Sequence, residues 1–114
     1  MFYKVYNGSN LISKRSKFCK GILSKFIGFM FNFSKDYDSI ILKSKNSSIH
    51  MFFVFFTLKI IWLDSNFKVI ETKKAYPFMS IYPPKKKSDY ILELKKYSKI
   101  NVRIGDQIKI KPYP

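Results

Sequence analysis

The segment IHMFFVFFTLKIIWLDSNFKVIET, residues 49–72, carries the strongest structural signal in the chain. Its Phe, Ile and Val content favours β-strands, and the polar trio Asp64-Ser65-Asn66 is typical of a turn whose side chains bond the local backbone. We therefore expect two buried strands at 49–56 and 58–64, followed by a returning strand at 67–72. A membrane-spanning helix is not expected, because the apolar run contains Lys59 and is shorter than the ~20 apolar residues a span requires.

Shorter strand signals flank this segment on both sides. Residues 2–6 alternate and end at Asn7-Gly8, a common hairpin turn, after which residues 10–13 are expected to pair back. Further strands are predicted at 39–42, Tyr90–Leu94 and 107–111. Many short strands in one chain predict a mainly β (α+β) fold, namely a small, partly open β-barrel.

One amphipathic helix near the N-terminus is expected to cover an end or seam of this barrel. Between residues 14 and 27, apolar side chains recur at spacings of three and four, which is the helical period. They are Phe18, Cys19, Ile22, Leu23, Phe26 and Ile27. Ser13 can cap the start of such a helix and Gly28 can end it.

The charge of the chain points to anionic partners. The 114 residues fit a single domain, 1–114, with a formal net charge of +15. Only Arg15 and Arg103 are arginines, so the charge is almost all lysine, which binds phosphate as a point charge and reads base sequence poorly. Sequence-independent nucleic-acid binding is therefore one alternative, and a genome that favours lysine codons is another.

A lysine-rich stretch with interleaved aromatic residues is a candidate basic surface. Residues 77–87 contain three prolines and predict an exposed loop. Lysines around Tyr76, Phe78 and Tyr82 supply the ingredients of a groove that stacks single-stranded bases, although a solvated loop whose aromatic side chains pack down onto the protein is the explanation we favour. The candidate lysines are Lys73, Lys74, Lys85, Lys86 and Lys87.

The inventory of reactive side chains excludes several chemistries. Cys19 and His50 are each the only residue of their type, which rules out an intramolecular disulfide, a thiolate zinc site and a two-histidine metal site. Four glycines and seven scattered acids supply neither a phosphate-cradling loop nor a catalytic carboxylate pair. We therefore assign no catalytic residue, metal or cofactor.

His50 and Lys59 form the one candidate pocket. Lys59 lies in an apolar strand, so its ammonium either reaches the rim or meets an anion. A small enzyme using His50 with Lys59 is thus an alternative function. For Gly105 and Asp106, before the last strand, we expect a structural turn.

The chain also carries expectations about location and assembly. Residues 1–8 lack the charged start and apolar run of a secretory signal, and the single cysteine suits a reducing compartment. We expect a monomeric, cytoplasmic protein without a membrane span.

Four sequence pieces resemble the domain-of-unknown-function 192 family, an uncharacterised prokaryotic family. They are Gly28-Phe29-Met30-Phe31, Ile49-His50-Met51-Phe52-Phe53-Val54 (close to the archaeal branch), the strand at 58–64, and Tyr90-Ile91-Leu92-Glu93-Leu94 with Ile104-Gly105-Asp106. The resemblance implies a compact β-barrel-like fold and brings no established activity, cofactor or substrate. The chain departs from the family at Thr57 and Lys59, where Pro and Asp are usual.

These observations favour a non-enzymatic binding or accessory module with an anionic partner. The enzyme alternative requires His50 to line a concave site, whereas the binding module requires only surface charge.

Overall fold

A computed structural model describes residues 2–20, 37–43, 49–50, 58–76, 80–81, 87–94 and 101–112. These residues form strands that we number in chain order. They are β1 (Phe2–Asn7), β2 (Asn10–Lys20), β3 (Ser39–Lys43), β4 (Ile49–His50), β5 (Leu58–Leu63), β6 (Val69–Ala75), β7 (Ser80–Ile81), β8 (Tyr90–Leu94) and β9 (Ile108–Pro112). The mainly β prediction is confirmed for this part of the chain. No helix of membrane-spanning length and hydropathy occurs among the same residues.

Seven of these strands form one sheet in the order β6-β5-β8-β3-β2-β1-β9. Every neighbouring pair in it is antiparallel except β2 and β3, which run parallel. The short strands β4 and β7 pair separately. The first strand β1 therefore lies between its hairpin partner β2 and the distant strand β9.

The two edge strands of the sheet meet at one end and curl it into a half-barrel. Lys68 forms an isolated bridge with Gln107. Beside it, the Val69 N–H donates to the Asp106 carbonyl at 2.9 Å, and the Gly105 N–H donates to the Val69 carbonyl at 2.8 Å. These bonds occupy backbone groups that an open edge would expose, and they confirm the partly open barrel.

The core lies on one face of the sheet. Its buried members are Val5, Ile41, Ile61, Leu63, Val69, Leu92, Leu94, Val102 and Ile108. The stacked rings of Phe67 and Tyr90, whose centroids are 4.4 Å apart, pack at its border. The opposite face of the central strands is buried as well, since Ile40, Ile60 and Trp62 are each 0% exposed. Residues of both faces of the central strands are thus shielded from water.

The predicted helix is wrong for residues 14–20, which continue strand β2. Ser16 lies opposite Ser39 in the parallel pair and is fully buried. A small polar residue thus occupies an inward position, and a search for apolar residues alone overlooks it. Ser13 does not cap a helix, because its hydroxyl bonds the Asp38 carboxylate and the Ser39 hydroxyl, each at 2.6 Å. Residues 21–28 lie outside the described part.

The first hairpin is confirmed, with its turn one residue later than predicted. Asn7 pairs with Asn10, so Gly8 and Ser9 form the loop. Gly8 has φ +62°, a conformation that costs glycine little. The predicted strands at 39–42, 58–64, 67–72, Tyr90–Leu94 and 107–111 correspond to β3, β5, β6, β8 and β9 within a few residues.

Candidate anion-binding face

Strands β2, β1 and β9, which lie side by side at one end of the sheet, carry an unbalanced charge. β1 contains one basic residue, β2 four and β9 two, which makes seven, and none of the three strands contains an acid. By contrast, β6 contains Glu71 and β8 contains Glu93. Positive charge is therefore concentrated at one end of the sheet.

The strand register directs much of this charge to the outer surface. Lys4 lies opposite Lys111, and Tyr6 lies opposite Lys109. Because Val5 is fully buried in the core and side chains alternate between faces, Lys4 and Tyr6 lie on the outer face together with their partners. Lys109 and Lys111 are exposed.

Aromatic rings accompany the cations of this surface. The guanidinium carbon of Arg15 is 4.4 Å from the centroid of the Phe2 ring. The Lys111 Nζ is 5.3 Å from the Tyr6 ring, and the Lys17 Nζ is 5.6 Å from the Tyr37 ring. Cations this close to a ring centroid are attracted by its quadrupole. We call the following eight residues the basic–aromatic face: Phe2, Lys4, Tyr6, Arg15, Lys17, Tyr37, Lys109 and Lys111.

The carboxylates of Asp38 and Asp64 accept hydrogen bonds from neighbouring backbone N–H groups. Asp38 accepts the Ser13 hydroxyl at 2.6 Å and the Lys14 and Arg15 N–H groups at 3.3 Å. Asp64 Oδ1 accepts the N–H groups of Asn66 at 2.8 Å and of Lys68 at 2.9 Å. Such bonds fix a bulge and a turn, and they leave the carboxylates occupied.

Gly105 and Asp106 form the turn that joins the two edges. Gly105 has φ +95°, where a side chain would be strained. Asp106 Oδ2 accepts the Arg103 N–H at 2.8 Å and the Asn7 amide at 2.9 Å. The bond from the Arg103 backbone, followed by that from Asn7, lowers the pKa of Asp106. The side chain thereby ties the turn to strand β1.

A cavity of about 320 Å³ opens beside the basic–aromatic face. Its lining residues are Leu11, Ile12, Ser13, Lys14 and Asp38. The Ser13 hydroxyl and the Asp38 carboxylate are already bonded to each other at 2.6 Å. We therefore interpret this polar pair as a structural link between β2 and the start of β3.

The structure places His50 and Lys59 in different sheets. His50 lies opposite Ser80 in the β4–β7 pair, and its side chain is outside the described part. Lys59 is half-buried on β5, opposite Leu94 on one side and Lys74 on the other. Their common pocket stays a prediction.

The lysines of the sequence-predicted basic surface are only partly described. Lys73 and Lys74 are exposed on edge strand β6, where consecutive side chains face opposite ways. Lys87 is exposed as well, whereas Lys85 and Lys86 lie outside the described residues. That surface also stays a prediction.

Two buried polar side chains occupy the central strands on the face opposite the core. Glu93 is 1% exposed, and burial raises its pKa to about 7. Its Oε1 atom and the indole nitrogen of the fully buried Trp62 have no hydrogen-bond partner within the described part of the chain. An uncompensated polar group in such a place destabilises the fold.

The basic–aromatic face was missed by sequence reasoning, although one signal for it was present. Lysines at every second position of β9, Lys109 and Lys111, predict an outward row on a strand. Arg15 and Lys17 show the same spacing in β2. Because residues 14–27 were predicted to form a helix, the shared direction of Arg15 and Lys17 on a strand was not recognised.

The same described residues contain no group of three or more His, Cys, Asp or Glu side chains arranged to hold a metal ion.

Comparison with known proteins gives a family match and several relatives. Residues 20–110 match the model of the domain-of-unknown-function 192 family, described as "Uncharacterized ACR". A UPF0127 protein of Thermococcus sibiricus is 35% identical over 100 residues, which cover 82% of this chain and 64% of that protein. A UPF0127 protein of Pyrococcus horikoshii is 39% identical over 66 residues, 56% of each chain. The chain thus spans less than two thirds of the length of these relatives.

Two crystal structures share the fold. A protein of unknown function from Novosphingobium aromaticivorans superposes with a TM-score of 0.76 at 18% identity, covering 96% of this chain and 84% of that one. A putative transcription regulator from Sinorhizobium meliloti gives a TM-score of 0.75 at 13% identity, with 96% and 92% covered. At these identities the likeness shows the fold alone.

Proposed function

Because the chain belongs to the uncharacterised domain-of-unknown-function 192 family, which assigns it no activity, we propose a function from its own surface. The protein is a non-enzymatic binding module, and its basic–aromatic face binds a polyanionic partner.

The main support for this proposal is that cations from three adjacent strands lie on one surface, and that none of these strands contains an acidic residue. Charges of one sign on a common surface raise the local concentration of an oppositely charged partner and speed its association. The Lys17 Nζ and the Lys111 Nζ lie 5.6 Å and 5.3 Å from the centroids of the Tyr37 and Tyr6 rings, so both cations stay close to this surface in the unbound protein.

The engagement of the carboxylates supports a binding role over catalysis. Asp38, Asp64 and Asp106 each accept backbone N–H bonds. A carboxylate that acts as a general base must lie within reach of a substrate proton, and these three are committed to turns and strand links.

Replacing both β9 lysines tests the proposal. We expect K109Q/K111Q to weaken binding of inorganic polyphosphate about tenfold at low salt, because two contacts with anionic oxygens are lost. The plot of log affinity against log salt has a negative slope, and its magnitude should decrease by about 2, one for each lysine. Titration calorimetry at several salt concentrations measures both quantities.

The matched control is K73Q/K74Q, which removes the same charge from edge strand β6. We expect it to change affinity less than twofold at the same salt concentrations. Equal weakening by the two double variants would show that only net charge matters and would refute a defined binding face.

A further inference from the structure

We propose that the polyanion is single-stranded nucleic acid, bound without sequence preference across the basic–aromatic face. This inference rests on the proposed function and names the partner class of the same surface.

The cations are spaced for a chain of phosphates. Lys109 and Lys111 are two residues apart on one strand, which places them about 6.8 Å apart along it. This spacing resembles that of successive phosphates along an extended nucleic-acid strand. Lys4, opposite Lys111, supplies a cation on the neighbouring strand, so the positive charge extends across strands as well as along one.

The rings offer a second kind of contact at the same positions. The Lys111 Nζ lies 5.3 Å from the Tyr6 ring centroid, and the Phe2 and Tyr37 rings are 6.3 Å apart. Tyr6, Phe2 and Tyr37 are all partly exposed. A lysine head group on its flexible stem can swing from a ring to a phosphate, and a base can then stack where the ammonium lay.

This pairing of cation and ring favours single strands over other polyanions. Polyphosphate, heparin and lipid headgroups have no aromatic face and gain nothing from Tyr6 or Phe2. A duplex presents phosphates but keeps its bases stacked inside, so the rings remain unused. Arg15 is the one arginine of the face, and without several bidentate forks the binding has little means of reading sequence.

The experiment compares ligands on variants of Tyr6. Fluorescence anisotropy is measured with labelled oligothymidine of about 15 nucleotides, within the usual site sizes of single domains. Unlabelled polyphosphate, and a duplex of the same length, compete in parallel. We expect Tyr6→Leu to weaken oligothymidine binding about tenfold, a modest value for the loss of one stacked base. Polyphosphate binding should remain within twofold, and Tyr6→Phe, which keeps the ring, should behave as the native protein.

The outcomes separate the two levels of the proposal. If K109Q/K111Q weakens polyphosphate binding but Tyr6→Leu leaves oligothymidine binding unchanged, the polyanion function stands and the single-strand inference is wrong. If neither ligand binds, or K73Q/K74Q weakens both as strongly, the proposed function itself fails. Duplex binding as tight as single-strand binding also overturns the inference.

A measurement on the native protein guards against misfolding of the Tyr6 variants. Oligonucleotides in which thymine is replaced by 5-iodouracil crosslink to aromatic side chains on illumination. Mass spectrometry should locate the crosslink at Phe2, Tyr6 or Tyr37. A crosslink confined to aromatic residues outside this face would overturn the inference.

Discussion

The native protein is expected to lose stability as the pH rises from about 5 to about 8, and the Glu93→Gln substitution is expected to remove this loss. Glu93 is buried in a central strand, and burial raises its pKa from 4.5 to about 7. The residues directly opposite, Ile40 and Ile60, carry no charge. Beyond them on the same face lie Lys17 and Lys73, each two strand spacings or about 9.5 Å away.

The direction of this pH dependence follows from proton binding. Between pH 4.5 and pH 7 the folded protein keeps a proton on Glu93 that the unfolded chain has released. Stability therefore falls with rising pH in this window and levels off above it. The pKa difference of about 2.5 corresponds to about 3 kcal/mol of unfolding free energy.

Urea unfolding at pH 5 and at pH 8 measures the effect. Glu93→Gln should match the native protein within about 1 kcal/mol at pH 5 and exceed it by about 3 kcal/mol at pH 8. Glu71→Gln, half-buried on edge strand β6, removes an equal charge and should keep the native pH dependence. A Glu93→Gln protein that is less stable than the native one at pH 8 would show that the carboxylate has a stabilising partner.

Trp62→Ala is expected to lower the free energy of unfolding by about 3–5 kcal/mol. Trp62 is a large, fully buried side chain of β5, and its removal forfeits apolar burial and leaves a cavity. Trp62→Phe should cost less than half as much, because the ring remains and the indole N–H, which has no partner among the described residues, is removed.

The control for this substitution is Ile104→Ala in the turn before Asp106. Ile104 is 63% exposed, so its truncation should change stability by less than about 0.5 kcal/mol. Denaturant unfolding monitored by circular dichroism suits all three variants. A cost for Trp62→Ala no greater than that of Ile104→Ala would contradict the placement of Trp62 in the interior.

The strands could be predicted from sequence because their chemistry is local. Asn7-Gly8, Asp64-Ser65-Asn66 and Gly105-Asp106 mark turns whatever surrounds them, and apolar runs between them read as strands. The helix error has a physical cause in Ser16. Ser16 faces the interior opposite Ser39 on the neighbouring parallel strand. Because serine is polar, the alternation of apolar and polar residues that predicts a strand is not visible in the sequence at this point.

The candidate site was less predictable, because it depends on which strands become neighbours. Lys4 and Lys111 meet only because β1 pairs with β9, and no local pattern specifies that pairing. Glu93 shows the same limit. A single acid in the otherwise apolar stretch Tyr90–Leu94 would be expected to face solvent, and burial of both faces of the central strands makes it an interior group instead.

The pairing of β1 with β9 also sets an order for folding during synthesis. Lys4 and Lys111 are partners although 107 residues separate them, so one edge of β1 cannot be hydrogen-bonded until β9 has left the ribosome. At ordinary elongation rates that interval is roughly 5 to 20 s. The bonds between Val69 and the Gly105–Asp106 turn await the same event. The nascent chain consequently carries the hairpin β1–β2 with an unpaired edge for seconds, and the cationic side chains of that hairpin hinder its association with other chains.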